Sequence, residues 1–255
     1  MARIQFMNTE IDNITMDEAL DRIEILISQN NSSFVVTPNV DHIIKLETGT
    51  ELRKIYKNAD LILCDGKPLI WISKWYGTPI KEKISGSDLF PRLCERAAKN
   101  GYKMFFLGAA EGVADKAAER LKKRYEGLQI VGTYSPPKGF ENNPDEMSRI
   151  KTIIKSTSPH ILIVALGCPK QENFIYTNRI ELGVPISLGL GASLDFEAGV
   201  LKRAPKWMAN HGLEWIYRII QEPGRMTKRY LVDDWKIVRL VFKYRPRRKK
   251  GENQI

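Results

Sequence analysis

Short apolar runs alternate with longer amphipathic segments over the first 195 residues. The runs are Ser33–Val36, Ala59–Cys64, Lys103–Leu107, Leu128–Gly132, Ile161–Leu166 and Val184–Leu188. Most stop at a polar or glycine-containing corner: Thr37-Pro38-Asn39, Asp65-Gly66, Gly108-Ala109, Gly167, and Gly189-Leu190-Gly191. Continuous apolar runs suit strands covered on both faces, as in a parallel sheet. Helical spacing fills the gaps. Thr15 leads into Asp17 and Glu18, followed by Ala19, Ile23, Ile25 and Ile27; Val113, Ala117, Leu121 and Tyr125 share one face; so do Met147, Ile150 and Ile154. Acidic residues at a helix start complement its dipole. Strand–helix alternation of this kind predicts an α/β fold with an open, doubly wound, mainly parallel sheet. Such sheets bind ligands beyond the carboxyl ends of their strands. That places Thr37, Asn39, Asp65, Gly108, Gln171 and Asp195 in the region where chemistry is expected.

The pattern changes after Asp195. Arg203-Ala204-Pro205 interrupts it, Trp207–Gln221 reads as a helix, Pro223-Gly224 punctuates, and Tyr230–Tyr244 reads as a second helix. Lys236, Arg239 and Lys243 form a stripe on that second helix, beside Leu231, Trp235, Val238, Val241 and Phe242. The pattern reads equally as a helix lying in a membrane interface and as one packed on its own domain with a solvated charged face. The expected division is a core over 1–198 and an appendage over 199–255.

Charge sharpens this division. Residues 1–200 are balanced in acid and base, so the last 55 residues carry the whole formal charge of +10. Basic and aromatic residues together suit a polyanion at an apolar boundary, either anionic lipid or nucleic acid. A chain of 255 residues can bury one substantial core plus a small appendage. The cysteines, Cys64, Cys94 and Cys168, are widely spaced, which argues against a zinc site or disulfide framework and fits a reducing cytoplasm. No secretory leader is evident, and no stretch approaches the ~20 apolar residues of a membrane span. Membrane contact is therefore expected to be peripheral.

Among candidate groups, Asp65 closes a strongly apolar run, where desolvation raises a carboxylate toward the range of a general base. An Asp-Gly corner also reads as a plain turn or helix cap. Thr37 and Asn39 offer a hydroxyl and an amide at a rigid corner, or cap the following helix. In Gly167-Cys168-Pro169-Lys170-Gln171-Glu172, Lys170 can meet phosphate and Gln171 a sugar hydroxyl; alternatively Lys170 and Glu172 are a solvated first-turn pair. Gly191 belongs to a fragment of a dinucleotide fingerprint that lacks its third glycine and follows the last strand, so a nicotinamide cofactor is poorly supported. His42, His160 and His211 have no metal-ligand spacing and read as isolated structural or surface residues.

Taken in order, several of these segments resemble the WecG/TagA/CpsF family of bacterial glycosyltransferases. The resemblance rests on Thr37-Pro38-Asn39, Asp65-Gly66, Ser85-Gly86-Ser87-Asp88-Leu89, Phe105-Phe106-Leu107-Gly108, the Gly-Cys-Pro-Lys-Gln-Glu run, Gly191–Phe196, Arg203-Ala204-Pro205 and Gly212–Arg218 followed by Glu222-Pro223. It spans roughly residues 10–232 and implies a Rossmann-like core. It also implies an inverting, metal-independent enzyme without a cofactor. Such an enzyme moves an N-acetylmannosamine-type sugar from a UDP donor to undecaprenyl-diphosphate-linked N-acetylglucosamine, for wall teichoic acid or another surface polysaccharide. In that reading Asp65 is the catalytic base, while Thr37, Asn39 and Gln171 line the sugar pocket. Asp195 lies near the nucleotide base, with Gly108, Lys170, Phe140 and Gly191 beside the nucleotide sugar. Arg218, Arg225 and Arg229 point toward diphosphate, and Lys83 stands where many relatives have Arg. The resemblance further implies an appendage that meets the anionic inner face of the membrane and closes the active site. Apolar surface on the core suggests self-association. The competing readings are a nucleic-acid-binding α/β protein, a transferase of the same family using another UDP-sugar, and a nucleotide-sugar epimerase or dehydrogenase.

Overall fold

The protein was analysed as a computed structural model that describes residues 3–205, 207–208 and 211–246, with Arg225 described in backbone only. Six parallel strands form the central sheet: β3 (Ser33–Val36), β4 (Leu61–Ile62), β5 (Lys103–Gly108), β6 (Gln129–Tyr134), β7 (Ile161–Ala165) and β8 (Ile186–Gly189). Their order is β4-β3-β8-β7-β5-β6. The chain thus winds from β3 to one edge and from β5 to the other, and β7 and β8 fill the middle. Every strand of the expected set is present. The four inner strands β3, β8, β7 and β5 are buried nearly throughout, because helices cover both faces.

A hairpin of β1 (Arg3–Phe6) and β2 (Thr9–Asp12) has no counterpart in the sequence reading. It covers the outer edge of β4: the Asp12 carboxylate accepts from Ile62 N at 2.8 Å and is held by Arg3 at 3.0 Å. An open strand edge is a template for unwanted pairing, and the hairpin removes it. The long run Ala59–Cys64 yields a two-residue strand. Beyond Ile62 the run stays bonded to the end of β3 and its corner, Leu63 N to Val36 O and Asp65 N to Pro38 O, both at 2.9 Å, while Cys64 O accepts from Ile84 N at 2.8 Å.

Helices α1 (Met16–Gln29), α2 (Val40–Thr48), α3 (Thr50–Lys57), α4 (Lys67–Trp75), α5 (Gly86–Asn100), α6 (Val113–Arg124), α7 (Pro144–Thr157), α8 (Lys170–Leu182) and α9 (Ser193–Ala198) connect and cover the strands. Thr15 and Glu18 form a reciprocal capping box on α1, and Ser85 and Asn143 cap α5 and α7.

Past α9 come α10 (Glu214–Gln221), α11 (Pro223–Lys228), a π-helical turn over Arg229–Asp233, and α12 (Lys236–Lys243). The expected helix over 207–221 is broken ahead of Glu214, and that over 230–244 is split by the π turn. In α12 one flank follows the packed reading. Ile237, Leu240 and Val241 pack on the core, and Tyr76 Oη donates to Val241 O at 2.7 Å. Trp235, Val238 and Phe242 remain exposed, at 66%, 43% and 64%. Among the described residues no helix is long and apolar enough to cross a membrane.

Gly108 shows how tightly the sheet ends are set. Its φ is +108°, and a Cβ there would lie 2.4 Å from Ala165 O. Gly108→Ala is expected to cost about 2 kcal/mol or more, from left-handed strain plus a backbone clash. A urea titration shifted by less than ~0.5 kcal/mol would show that the ends of β5 and β7 relax freely.

Candidate active site

The carboxyl ends of β3, β4, β7 and β8 converge on a cleft of about 730 Å³, whose far wall is built by the appendage. Thr37, Asn39, Asp65, Gln171 and Gly191 lie on the sheet side. Trp215, Arg218, Arg229, Tyr230, Asp234 and Trp235 face them. Gly66 has φ +122°, a turn that carries the chain from Asp65 straight into α4. Asp65 makes no cap: α4 starts at Gly66 without a side-chain cap hydrogen bond. The simple turn-or-cap reading of Asp65 therefore loses its capping half, and its carboxylate is left to the cleft.

Burial pushes the Asp65 carboxyl up to about 6, against the opposing pull of Lys83 and His42, with Glu214 adding to the rise. A carboxylate in that range is ionised near neutrality and still basic enough to accept a proton from a hydroxyl as that hydroxyl reacts. Asp234, across the cleft, is also raised to about 6 by burial, against Arg229.

The other sheet-side groups are held by backbone. Thr37 Oγ1 donates to Gly189 O at 3.3 Å. Gln171 Oε1 accepts from Gly167 N at 3.2 Å and Gly191 N at 3.1 Å, so it ties the loop after β7 to the loop after β8. Asn39 caps α2, and its Oδ1 also accepts from Arg229 Nη2 at 3.0 Å. That bond joins the appendage to the floor of the cleft across 190 residues of chain. Tyr244 Oη to Glu47 Oε2 at 2.9 Å and a Lys243–Glu47 ion pair add to the docking.

The expected site residues divide into those that meet at the cleft and those that do not. Thr37, Asn39, Asp65, Gln171, Gly191, Arg218 and Arg229 line it. Arg218 also lies over the Phe196 ring, 5.6 Å from its centroid. Lys83 stands behind the lining, 2.8 Å from Asp88, which also meets Arg203 at 2.8 Å. Gly108 is packed against β7 outside the cleft. Phe140 is buried in the core, its ring 6.3 Å from that of Phe174. Lys170 pairs with Glu141 on the surface. Asp195 lies on α9 beside Phe196, which lines the cleft. The Arg225 side chain falls outside the described residues.

Two sequence readings are corrected. Glu172 is fully buried, not a solvated partner of Lys170, because α8 turns it inward beneath the cleft. His42 is not isolated: Nε2 lies 3.5 Å from Glu172 Oε1 and Nδ1 lies 2.8 Å from Asn39 Oδ1. Glu214, within the Gly212–Arg218 motif, lines the cleft too, as do Trp71, Tyr230 and Asp234, which were not among the expected site residues. Nothing in their local spacing marks them, because α4 and the appendage meet only in three dimensions.

The profile described as the Glycosyl transferase WecG/TagA/CpsF family matches residues 4–251. N-acetylglucosaminyldiphosphoundecaprenol N-acetyl-beta-D-mannosaminyltransferase of Bacillus spizizenii is 34% identical over 202 residues, covering 79% of this chain and 76% of that protein. The protein of the same name from Staphylococcus aureus strain MW2 is 28% identical over 229 residues, covering 89% and 88%. These matches do not favour the nucleic-acid-binding or dehydrogenase readings.

Proposed function

The chain belongs to the WecG/TagA/CpsF family of glycosyl transferases, and from that membership we propose that it moves N-acetylmannosamine from a UDP donor to undecaprenyl-diphosphate-linked N-acetylglucosamine. The observation that carries the reading is Asp65: a carboxylate raised to about 6, free of any cap, at the floor of a cleft rimmed by arginines. In the proposed step an acceptor hydroxyl oxygen attacks the anomeric carbon of the donor. Its proton passes to Asp65. The bond from the anomeric carbon to the diphosphate oxygen breaks, and its electron pair leaves with UDP. Attack from the face opposite the leaving group inverts the anomeric centre. Arg218 and Arg229 line the wall where the growing diphosphate charge is met, and a guanidinium suits a diphosphate because its donors form a fork. The backbone-locked Thr37 and Gln171 fix the shape of the sugar side.

The segment 199–255 is proposed to seat the enzyme on the membrane while closing the cleft. Trp235 and Val238, at the rim of the cleft, and Phe242 keep large exposed areas, and the core adds Trp75, whose ring meets Phe242 edge-on with centroids 6.0 Å apart. Lys236, at the start of α12, is ion-paired with Asp233 at 3.3 Å. The full chain is expected to sediment with anionic vesicles. Binding should weaken when salt rises from about 0.1 M to about 0.5 M, and W235E/F242E should weaken it at either salt. Equal binding to neutral vesicles and by the double variant would reject this surface.

The direct test of function is a panel of UDP-sugars assayed with a short-chain polyprenyl-diphosphate N-acetylglucosamine. Mass spectrometry should find the disaccharide with UDP-N-acetylmannosamine and far less with UDP-glucose or the uronic acid donor. Preference for another donor would keep the reaction class and replace the sugar.

A further inference from the structure

We propose that Asp88 is a positioning residue that fastens the root of the appendage, through Arg203, to the start of α5 and to Lys83, so that one carboxylate sets both the seat of the appendage and the cation behind the cleft. Two of the segments that carry the family resemblance, Ser85–Leu89 and Arg203-Ala204-Pro205, have no part in the transfer step described above. The fold brings them together across 115 residues of chain. Arg203 Nη1 donates to Asp88 Oδ1 at 2.8 Å, and Arg203 Nη2 donates to Ser87 O. The other carboxylate oxygen, Oδ2, accepts from Lys83 Nζ at 2.8 Å and from Ser85 Oγ at 2.6 Å. Ser85 also caps α5, and Ser85, Gly86 and Ser87 line the cleft. Asp88 therefore gathers a lysine, a helix cap and the first arginine of the appendage on one side chain.

From Arg203 the contact continues into the appendage by two routes. The guanidinium stands 6.0 Å from the centroid of the Phe196 ring, and Arg218 stands 5.6 Å from the same ring, which lines the cleft. Lys202, the preceding residue, is bonded in both directions to Gln221 at the end of α10, at 2.7 and 2.9 Å. Arg203 also lies 3.8 Å from Glu197, which is held more closely by Arg124 at 2.7 Å. An isolated exposed ion pair adds little to a fold. Here three donors converge on one carboxylate, so the effect falls on geometry and charge at the cleft. Although burial pushes the Asp88 carboxyl up, Lys83, Ser85 and Arg203 hold it below the ordinary range. Burial pulls Lys83 down, but Asp88, Asp65 and Glu214 raise it above the ordinary range. Asp88 and Lys83 thus stay charged near neutrality. Asp65 is faced by Lys83 and His42, which pull it down, and by Glu214 and Asp88, which push it up. Burial raises the nearby Cys64 thiol and Tyr56 phenol, so neither adds negative charge.

The pH readout of this inference rests on the reading of Asp65 as base; the exchange readout does not. The test uses the full-length chain. The isosteric D88N removes the charge and keeps the shape. It is expected to move the acidic limb of the kcat/KM profile to lower pH, because a carboxylate that pushes Asp65 up is gone and Lys83 has lost its nearest partner. R203A leaves the Lys83–Asp88 pair in place, so its limb should stay where it is while kcat falls about 10- to 100-fold through mispositioning. R203K should recover part of that loss, since it restores a cation to Asp88 but cannot also reach Ser87 O as a fork does. D88A/R203A should lose no more than D88A alone, because both changes break the same bond. Hydrogen exchange should quicken in D88A and R203A at the start of α5 and in α10, with β7 and β8 as protected as in the wild type. D65N should remove most of the transfer and leave exchange unchanged, which separates failure of this inference from failure of the proposed function. A D88N limb that stays in place or moves to higher pH would overturn the inference. So would additive losses in the double variant, or wild-type exchange in both alanine variants.

Discussion

Asp65→Asn is expected to lower kcat about 10²- to 10⁴-fold, the usual cost of losing a general base, while calorimetry shows UDP binding close to that of the wild type. The substitution keeps the shape of the side chain and removes its ability to take a proton. Because burial raises the Asp65 carboxyl to about 6, the wild-type rate should itself depend on pH. The base acts in its ionised form, so kcat/KM should climb as pH rises through about 6 and level off above it. In Asp65→Asn that acidic limb should vanish together with the bulk of the activity. A variant that turns over near the wild-type rate, or one that keeps the limb, would remove Asp65 from the proton transfer. Asp234, raised to a similar range, would then be the carboxylate to test, since it also lines the cleft.

The second large effect is expected from the appendage arginines. Arg218→Ala and Arg229→Ala should each lower kcat about 10²- to 10³-fold, the range seen when one preorganised donor to a developing anion is removed. Their combined effect should fall short of the product, because both act on one diphosphate. Arg229→Lys should recover only part of the loss: the charge returns but the fork does not, and the Asn39 contact at 3.0 Å is made by a guanidinium nitrogen. Transfer is expected to persist in excess chelator. Steady-state kinetics with both substrates varied would decide the matter. If the alanine variants raise KM alone, the arginines hold the ground state and leave the departing charge to other groups. If chelator stops the reaction, a metal ion shares that role.

The architecture was open to reading because each of its parts is encoded over a few residues. A buried strand needs an apolar run whatever else the chain does, and six such runs became the six strands of the sheet. Corners where those runs stop must sit at the sheet ends, so Thr37, Asn39, Asp65, Gly108, Gln171 and Asp195 were grouped from sequence, and four of them, Thr37, Asn39, Asp65 and Gln171, line the cleft. The ordered motifs from Thr37-Pro38-Asn39 to Gly212–Arg218 carried the family in the same way. Charge asymmetry marked the appendage, since net charge is a sum over residues and needs no fold.

Facing direction is a different kind of information. Glu172 follows Gln171 in the first turn of α8, and nothing local distinguishes a carboxylate that points to water from one that points inward. The fold decides it: His42, 130 positions earlier, stands 3.5 Å from that carboxylate. Phe140 is taken up by the core because Phe174 lies opposite it. For α12, an amphipathic pattern was visible in the sequence, but one apolar flank is covered by α2 and the core while Trp235, Val238 and Phe242 stay bare. The chain alone therefore determined its strands, its corners, its family and the place of its charge, all of which depend on neighbours in sequence. Which side chains meet at the cleft, and in what electrostatic state, was left to the packing of segments far apart along the chain, because desolvation and pairing exist only once those segments touch.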